Sequence, residues 1–111
     1  MKKSSKLRNI WYSLSAEQRF FIRRLYYLPK DTFDAVTGKR HKYVPPRGYI
    51  YTGSPANAVD YLKQGQHQLE LLREFAGLEP NHTILDIGSG IGRTAIALTG
   101  YLNNAGAYEG F

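Results

Sequence analysis

Cysteine is absent from the 111 residues, which excludes disulfides and thiolate metal sites within them and fits a reducing, cytoplasmic setting. No run approaches the ~20 consecutive apolar residues of a membrane-spanning helix, so no membrane span is expected. No secretion signal is visible either. Met1-Lys2-Lys3 opens like a basic leader, but Lys6, Arg8 and Asn9 fall where an apolar run is required. Internal repeats and low-complexity tracts are also missing.

What is present begins with charge. The formal net charge is +6, and much of the basic excess lies before Arg47. Such a front half can meet an acidic surface such as nucleic acid, anionic lipid or a phosphorylated substrate, or it can simply be a solvated face. Met1 to Ser13 is polar and basic, with Ile10, Trp11 and Tyr12 as its apolar residues. A loose arm that docks through its aromatic pair is expected there.

Order is expected from Ser15, which stands at capping-box distance from Gln18. Phe21, Leu25 and Leu28 then recur at helical intervals and predict a helix with one apolar face, stopped by Pro29. Arg19, Arg23 and Arg24 with Tyr27 mark the other face, either a phosphate-contacting strip or solvated arginines. From Lys30 to Tyr51 the pattern is irregular. Pro45-Pro46 holds the backbone extended, which predicts an ordered connector lying across the domain. Gly38-Lys39 lacks the upstream glycine and following Ser or Thr of a phosphate loop, so it reads as an exposed basic turn.

A second helix is predicted from Ser54-Pro55, as N-cap and first-turn proline, to Ala76. Its apolar stripe is Val59, Leu62, Leu69, Leu72 and Phe75, with Gly65 as a point of kinking or splitting. Gly77 is placed as a left-handed C-cap, with Leu78 folding back and Pro80 preventing continuation. Thr83 to Ile87 is β-branched and apolar, as expected of a central parallel strand covered on both faces. A helix follows from Ile91 to about Leu102, packing through Ala95, Leu98 and Leu102. Asn103-Asn104-Ala105-Gly106 then turns the chain into a second strand, within which the sequence stops at Phe111.

Between that strand and helix lies the segment with chemical meaning, Asp86-Ile87-Gly88-Ser89-Gly90-Ile91-Gly92-Arg93. Gly88 permits backbone angles closed to other residues, Gly90 lacks the β-carbon that would keep a ligand from the main chain, and Gly92 lets the helix start lie against the strand. Amides at a helix start carry partial positive charge and suit a carboxylate or phosphate. A dinucleotide fingerprint requires glycine where Arg93 stands, and Asp86 occupies a position normally apolar in that motif. A nicotinamide-dependent oxidoreductase is therefore disfavoured.

The stretch from Ile84 to Arg93 resembles motif I of the class I S-adenosylmethionine-dependent methyltransferases, in which an acidic residue ends the first strand and a Gly-x-Gly-x-Gly turn follows. Phe33 to Gly53 also resembles, more loosely, the lead-in segment of stand-alone members. The resemblance implies an α/β fold, the start of a Rossmann-like doubly wound methyltransferase sheet preceded by a helical N-terminal extension. Residues 1–53 would be the basic helical and extended segment. Residues 54–111 would be the first part of the methyltransferase domain, with helix, strand, glycine-rich turn, helix and second strand. A doubly wound sheet needs several such units to bury both faces, so an amino-terminal piece of a longer protein, itself of little activity, is expected.

The resemblance further implies S-adenosylmethionine as cofactor and Asp86, Gly88, Ser89, Gly90, Gly92 and Arg93 as its binding residues, with Asp86 helping to place the amino group. It also implies an acid at the end of the second strand for the ribose hydroxyls, which the Gly110-Phe111 pair puts just beyond Phe111; Glu109 falls too early. Methyl transfer to an unidentified small or macromolecular acceptor would follow, driven chiefly by alignment and water exclusion. No catalytic base and no metal ligand set is assigned. His41, His67 and His82 each read as surface histidines or as catalysts, and Tyr49 and Tyr51 as pocket lining or packing. The competing reading is a non-catalytic Rossmann-like module that binds RNA or another polyanion through its basic N-terminal segment.

Overall fold

The computed structural model describes residues 3–51 and 56–111. Four α-helices dominate them: α1 (Lys3–Ser13), α2 (Ala16–Val36), α3 (Ala58–Ala76) and α4 (Arg93–Tyr101). A 3-10 turn, Arg47–Tyr49, lies between α2 and α3. Among the described residues the β-structure is one parallel pair, β1 (Thr83–Asp86) and β2 (Ala107–Gly110), in register Thr83 to Ala107 and Asp86 to Gly110.

This corrects the Rossmann-like doubly wound sheet expected from the sequence. Among the described residues one crossover, β1-α4-β2, supplies the whole sheet. One helix covers one face, and Leu98 of α4 is buried there. The other face is open: Leu85 is 59% exposed, Ile87 73% and Phe111 71%. The apolar run from Thr83 to Ile87 is thus not covered on both sides.

The N-terminal residues depart from expectation in an instructive way. The predicted loose arm is helix α1, favoured by Lys, Leu and Arg in a stretch free of glycine and proline. Tyr12 is exposed and Trp11 half-buried, so the aromatic pair does not dock as a unit. The capping box is present as read: the Ser15 hydroxyl accepts from the Gln18 amide, and the Gln18 side chain accepts from the Ser15 amide at 3.0 Å. Helix α2 then runs through Pro29 instead of ending there.

Interior proline costs a helix about 3 kcal/mol, and tertiary bonds beyond it offset that cost. The Asp31 carboxylate accepts from the backbone amides of Arg47 at 2.9 Å and Gly48 at 3.1 Å. The Arg47 guanidinium donates in turn to Asp34 at 2.5 Å. These bonds hold the last turns of α2 against the connector. They also select which face of α2 points inward. Phe20, Arg23, Tyr27, Asp31 and Asp34 are half-buried, whereas the predicted apolar face is outside, with Phe21 61% exposed and Leu25 53% exposed.

The connector is ordered, as its prolines imply, and the basic turn at Gly38 is exposed, with φ +69°. Val44 and Ile50 are buried beside Tyr61 of α3, and Leu62, Ile91 and Ile96 pack on this cluster. Ser54-Pro55, predicted to cap α3, lies outside the described residues. Helix α3 begins at Ala58, capped by Asn57, whose side-chain oxygen accepts from the Asp60 amide at 2.9 Å.

Helix α3 is continuous through Gly65. Its buried stripe is Tyr61, Gly65 and Leu69, four residues apart, while Val59 and Phe75 of the predicted stripe are exposed. Gly65 is where α4 crosses: a β-carbon there would run into the Arg93 carbonyl oxygen. The Gly77 cap is as read, left-handed at φ +62°, with the Leu78 amide donating to the Leu72 carbonyl at 3.1 Å.

Candidate functional site

Where β1 ends, the chain makes three left-handed steps within five residues, at Gly88 (φ +78°), Gly90 (φ +58°) and Gly92 (φ +80°). Residues with a β-carbon pay about 1 to 2 kcal/mol for each such step, so the turn needs its glycines. The Gly92 amide donates to the Ser89 carbonyl at 3.1 Å, closing the turn, and Gly92 then stands as N-cap of α4 with no side chain capping the helix.

Hydrogen bonds on two sides fix this turn to the rest of the fold. The Phe111 carbonyl accepts from the amides of Gly88 at 2.7 Å and Ser89 at 3.1 Å, while the Phe111 amide donates to the Asp86 carbonyl. From the other side, the Tyr61 hydroxyl donates to the Ile91 carbonyl at 2.6 Å. Burial pushes the Tyr61 phenol up, and the Arg93 guanidinium, 5.4 Å from its ring centre, opposes that rise. The amides of Gly90 and Ile91 have no backbone acceptor among the described residues.

Gly90 and Ile91 both line a cleft of about 650 Å³, within the range of small-molecule sites. Gly88, Ser89, Gly90, Ile91, Arg93 and Thr94 form one wall. The opposite wall is α3, through Asp60, Lys63, Gln64, His67 and Gln68. Their spacing puts all five on one side of the helix, next to the buried stripe that contains Gly65. Sequence reading missed this wall, because a polar stripe looks like a solvated face. The available signal was Gly65 itself, whose place beside the stripe marks the approach of another element.

Of the six residues predicted to hold a cofactor, Gly88, Ser89, Gly90 and Arg93 thus share one wall. Gly92 sits behind it, near the Tyr61 hydroxyl. Asp86 lies just before the wall and is not part of it; its carboxylate accepts from the Tyr108 hydroxyl at 2.8 Å. Desolvation, then the hydrogen bond and charge of Asp86, push the Tyr108 phenol up to about 12. Glu109 is exposed on the far side of β2.

The remaining candidates separate cleanly. His67 stands on the α3 wall of the cleft. His41 accepts from the Tyr43 amide in the basic turn, and His82 accepts from the Glu79 amide ahead of β1, both away from the cleft. Tyr51 packs on Phe20 with ring centres 4.7 Å apart, and the Arg24 guanidinium lies 4.8 Å from the Tyr49 ring centre. Neither tyrosine lines the cleft. Arg23 donates to the Ile50 carbonyl at 2.5 Å and also covers Tyr27. The predicted arginine strip therefore does not act as a unit: Arg23 binds the connector, whereas Arg24 is exposed.

Among the described residues no His, Asp and Glu group is arranged to hold a metal ion, and no helix is long and apolar enough to cross a membrane. No protein-family model and no solved structure matches the chain.

Proposed function

We propose that the glycine turn binds S-adenosylmethionine and that the chain serves a methyltransferase acting on an acceptor yet to be identified. One observation carries this reading: three left-handed glycines stand between the carboxylate-bearing end of β1 and the uncapped start of α4, on the wall of a cleft. The residue pattern of that turn is the one that resembles motif I. A reducing, cytoplasmic setting suits a chain without cysteine.

The donor set fits the cofactor's amino-acid end. The Gly90 and Ile91 amides and the positive end of α4 suit its carboxylate, and Asp86 suits its ammonium group. Gly90 presents bare backbone, so the ligand meets no β-carbon there. Bound in this way, the cofactor supplies an electrophilic methyl group on a sulfonium centre. The chain's own contribution is to orient that group and to keep water out between the turn and the polar wall of α3. Well-oriented model reactions put such alignment at up to about 7 to 11 kcal/mol.

Polyanion binding through the N-terminal segment has no comparable support, since Arg23, a half-buried member of the predicted strip, donates to the Ile50 carbonyl of the connector. Nicotinamide dinucleotide binding conflicts with Arg93 at the third glycine position. Calorimetric titration of the protein with S-adenosylmethionine and with NAD separates these readings. Saturable binding of S-adenosylmethionine near one site per chain, with no heat from NAD, is the expected result. Binding of NAD alone would end the proposal.

A further inference from the structure

The Asp86 carboxylate is the one charged group at the end of β1, yet a carboxylate on a strand end is free to rotate about its side-chain bonds unless something holds it. Here a partner is built into β2. Tyr108 pairs with Ile84 in the strand register and Gly110 with Asp86, so Tyr108 and Asp86 lie diagonally across the same face. The Tyr108 ring runs along β2 over Gly110 and delivers its hydroxyl to Asp86 Oδ2 at 2.8 Å. A β-carbon built on Gly110 would stand 2.5 Å from that hydroxyl oxygen and 3.0 Å from the ring carbon bearing it. The ring crosses there because the residue beneath it is glycine.

A carboxylate has about four lone-pair directions, and a phenol uses one of them. Asp86 Oδ1 accepts no hydrogen bond among the described residues. We propose that Tyr108 is a positioning residue: lying across Gly110, it ties down Oδ2 of Asp86 and thereby presents Oδ1 to the ammonium group of the ligand in the adjoining cleft. The inference rests on the cofactor reading above and extends it to a strand that supplies no wall of the cleft. Asp86 is half-buried and the Tyr108 hydroxyl is a neutral donor, so the pair holds a charge in place without cancelling it. The raised Tyr108 phenol fits this arrangement, since ionising it would set two negative groups side by side.

Two ligands isolate the effect. S-adenosylhomocysteine carries the amino-acid end, and methylthioadenosine has the same nucleoside and sulfur without it. Tyr108→Phe removes the hydroxyl and keeps the ring. It is expected to weaken S-adenosylhomocysteine about five- to tenfold while leaving methylthioadenosine unchanged, as befits loss of preorganisation at one group. Gly110→Ala, which pushes the ring off Asp86, should reproduce the same loss of selectivity. Adding Tyr108→Phe to Asp86→Asn should cost nothing further, because both act through one carboxylate.

A merely structural tyrosine would weaken both ligands together, and that result overturns the inference. So does an unchanged selectivity in Tyr108→Phe when the wild-type protein binds S-adenosylhomocysteine. Failure of the wild-type protein to bind either ligand is a different outcome, which removes the cofactor reading and this inference with it. A ligand-free readout accompanies these: the ultraviolet difference between the wild-type protein and Tyr108→Phe follows the Tyr108 phenol alone. Its ionisation should move down toward the ordinary tyrosine range in Asp86→Asn, and no movement would contradict the coupling.

Discussion

Gly65→Ala is expected to destabilise the protein by about 2 kcal/mol, although alanine is the better helix former by about 1 kcal/mol. The two effects oppose each other, and the crossing decides the sign. The new methyl group would meet the Arg93 carbonyl, a backbone atom at the first turn of α4, so neither helix can yield by a side-chain rotation. Gly100, near the end of α4, has nothing within 4 Å of the position its β-carbon would take. Gly100→Ala should therefore stabilise by up to about 1 kcal/mol. Thermal unfolding reads both, with a fall of roughly 10 °C against a small rise. A gain in Gly65→Ala equal to that in Gly100→Ala would contradict the close approach of α3 and α4. Because Arg93 also borders the glycine turn, the same substitution should disturb ligand binding.

Gly90→Ala is expected to abolish measurable cofactor binding at concentrations that saturate the wild-type protein, for a loss of stability of only about 1 kcal/mol. The modest stability cost follows from the surroundings. A β-carbon at Gly90 meets only the Gly88 carbonyl, at 3.9 Å, so the strain is that of a left-handed residue and not of crowding. The binding cost arises because that carbon would stand over the main chain a ligand must approach. Gly38→Ala is the matched control. Gly38 is also left-handed, at φ +69°, with nothing within 4 Å, but it lies in the exposed basic turn away from the cleft. It should show the same stability loss and unaltered binding. Equal binding losses in the two variants, or none in Gly90→Ala, would detach the turn from the ligand.

Local signals in the sequence translated directly into structure. The Ser15 and Gln18 capping box, the left-handed Gly77 and the order strand, glycine turn, helix, strand from Thr83 onward all depend on contacts within a few residues, and their residue types specify them. Choices made at a distance were not legible. Phe21, Leu25 and Leu28 form the more apolar face of α2, but Asp31 and Asp34 find Arg47 and the Gly48 amide in the connector, and those bonds turn the polar face inward. The same anchoring carries α2 through Pro29.

The glycine turn itself raised an expectation larger than it could support. A motif specifies how one strand joins one helix; it does not count strands, and among the described residues β1 and β2 form a pair with one face bare. The cleft shows the same limit. Its turn wall was readable from Gly88 to Arg93, whereas the α3 wall required knowing that Gly65 admits α4. Tyr108 as the partner of Asp86 required the strand register.

The most direct test of the account is the place at which a cofactor analogue touches the protein. Amide resonances of the isotopically labelled protein, followed while S-adenosylhomocysteine is added, report it residue by residue. Shifts at Gly88, Ser89, Gly90 and Ile91, joined by Lys63 and His67 across the cleft and absent at Gly38, are the predicted result. Shifts confined to α2 and the basic turn, or none at saturating ligand, would contradict it.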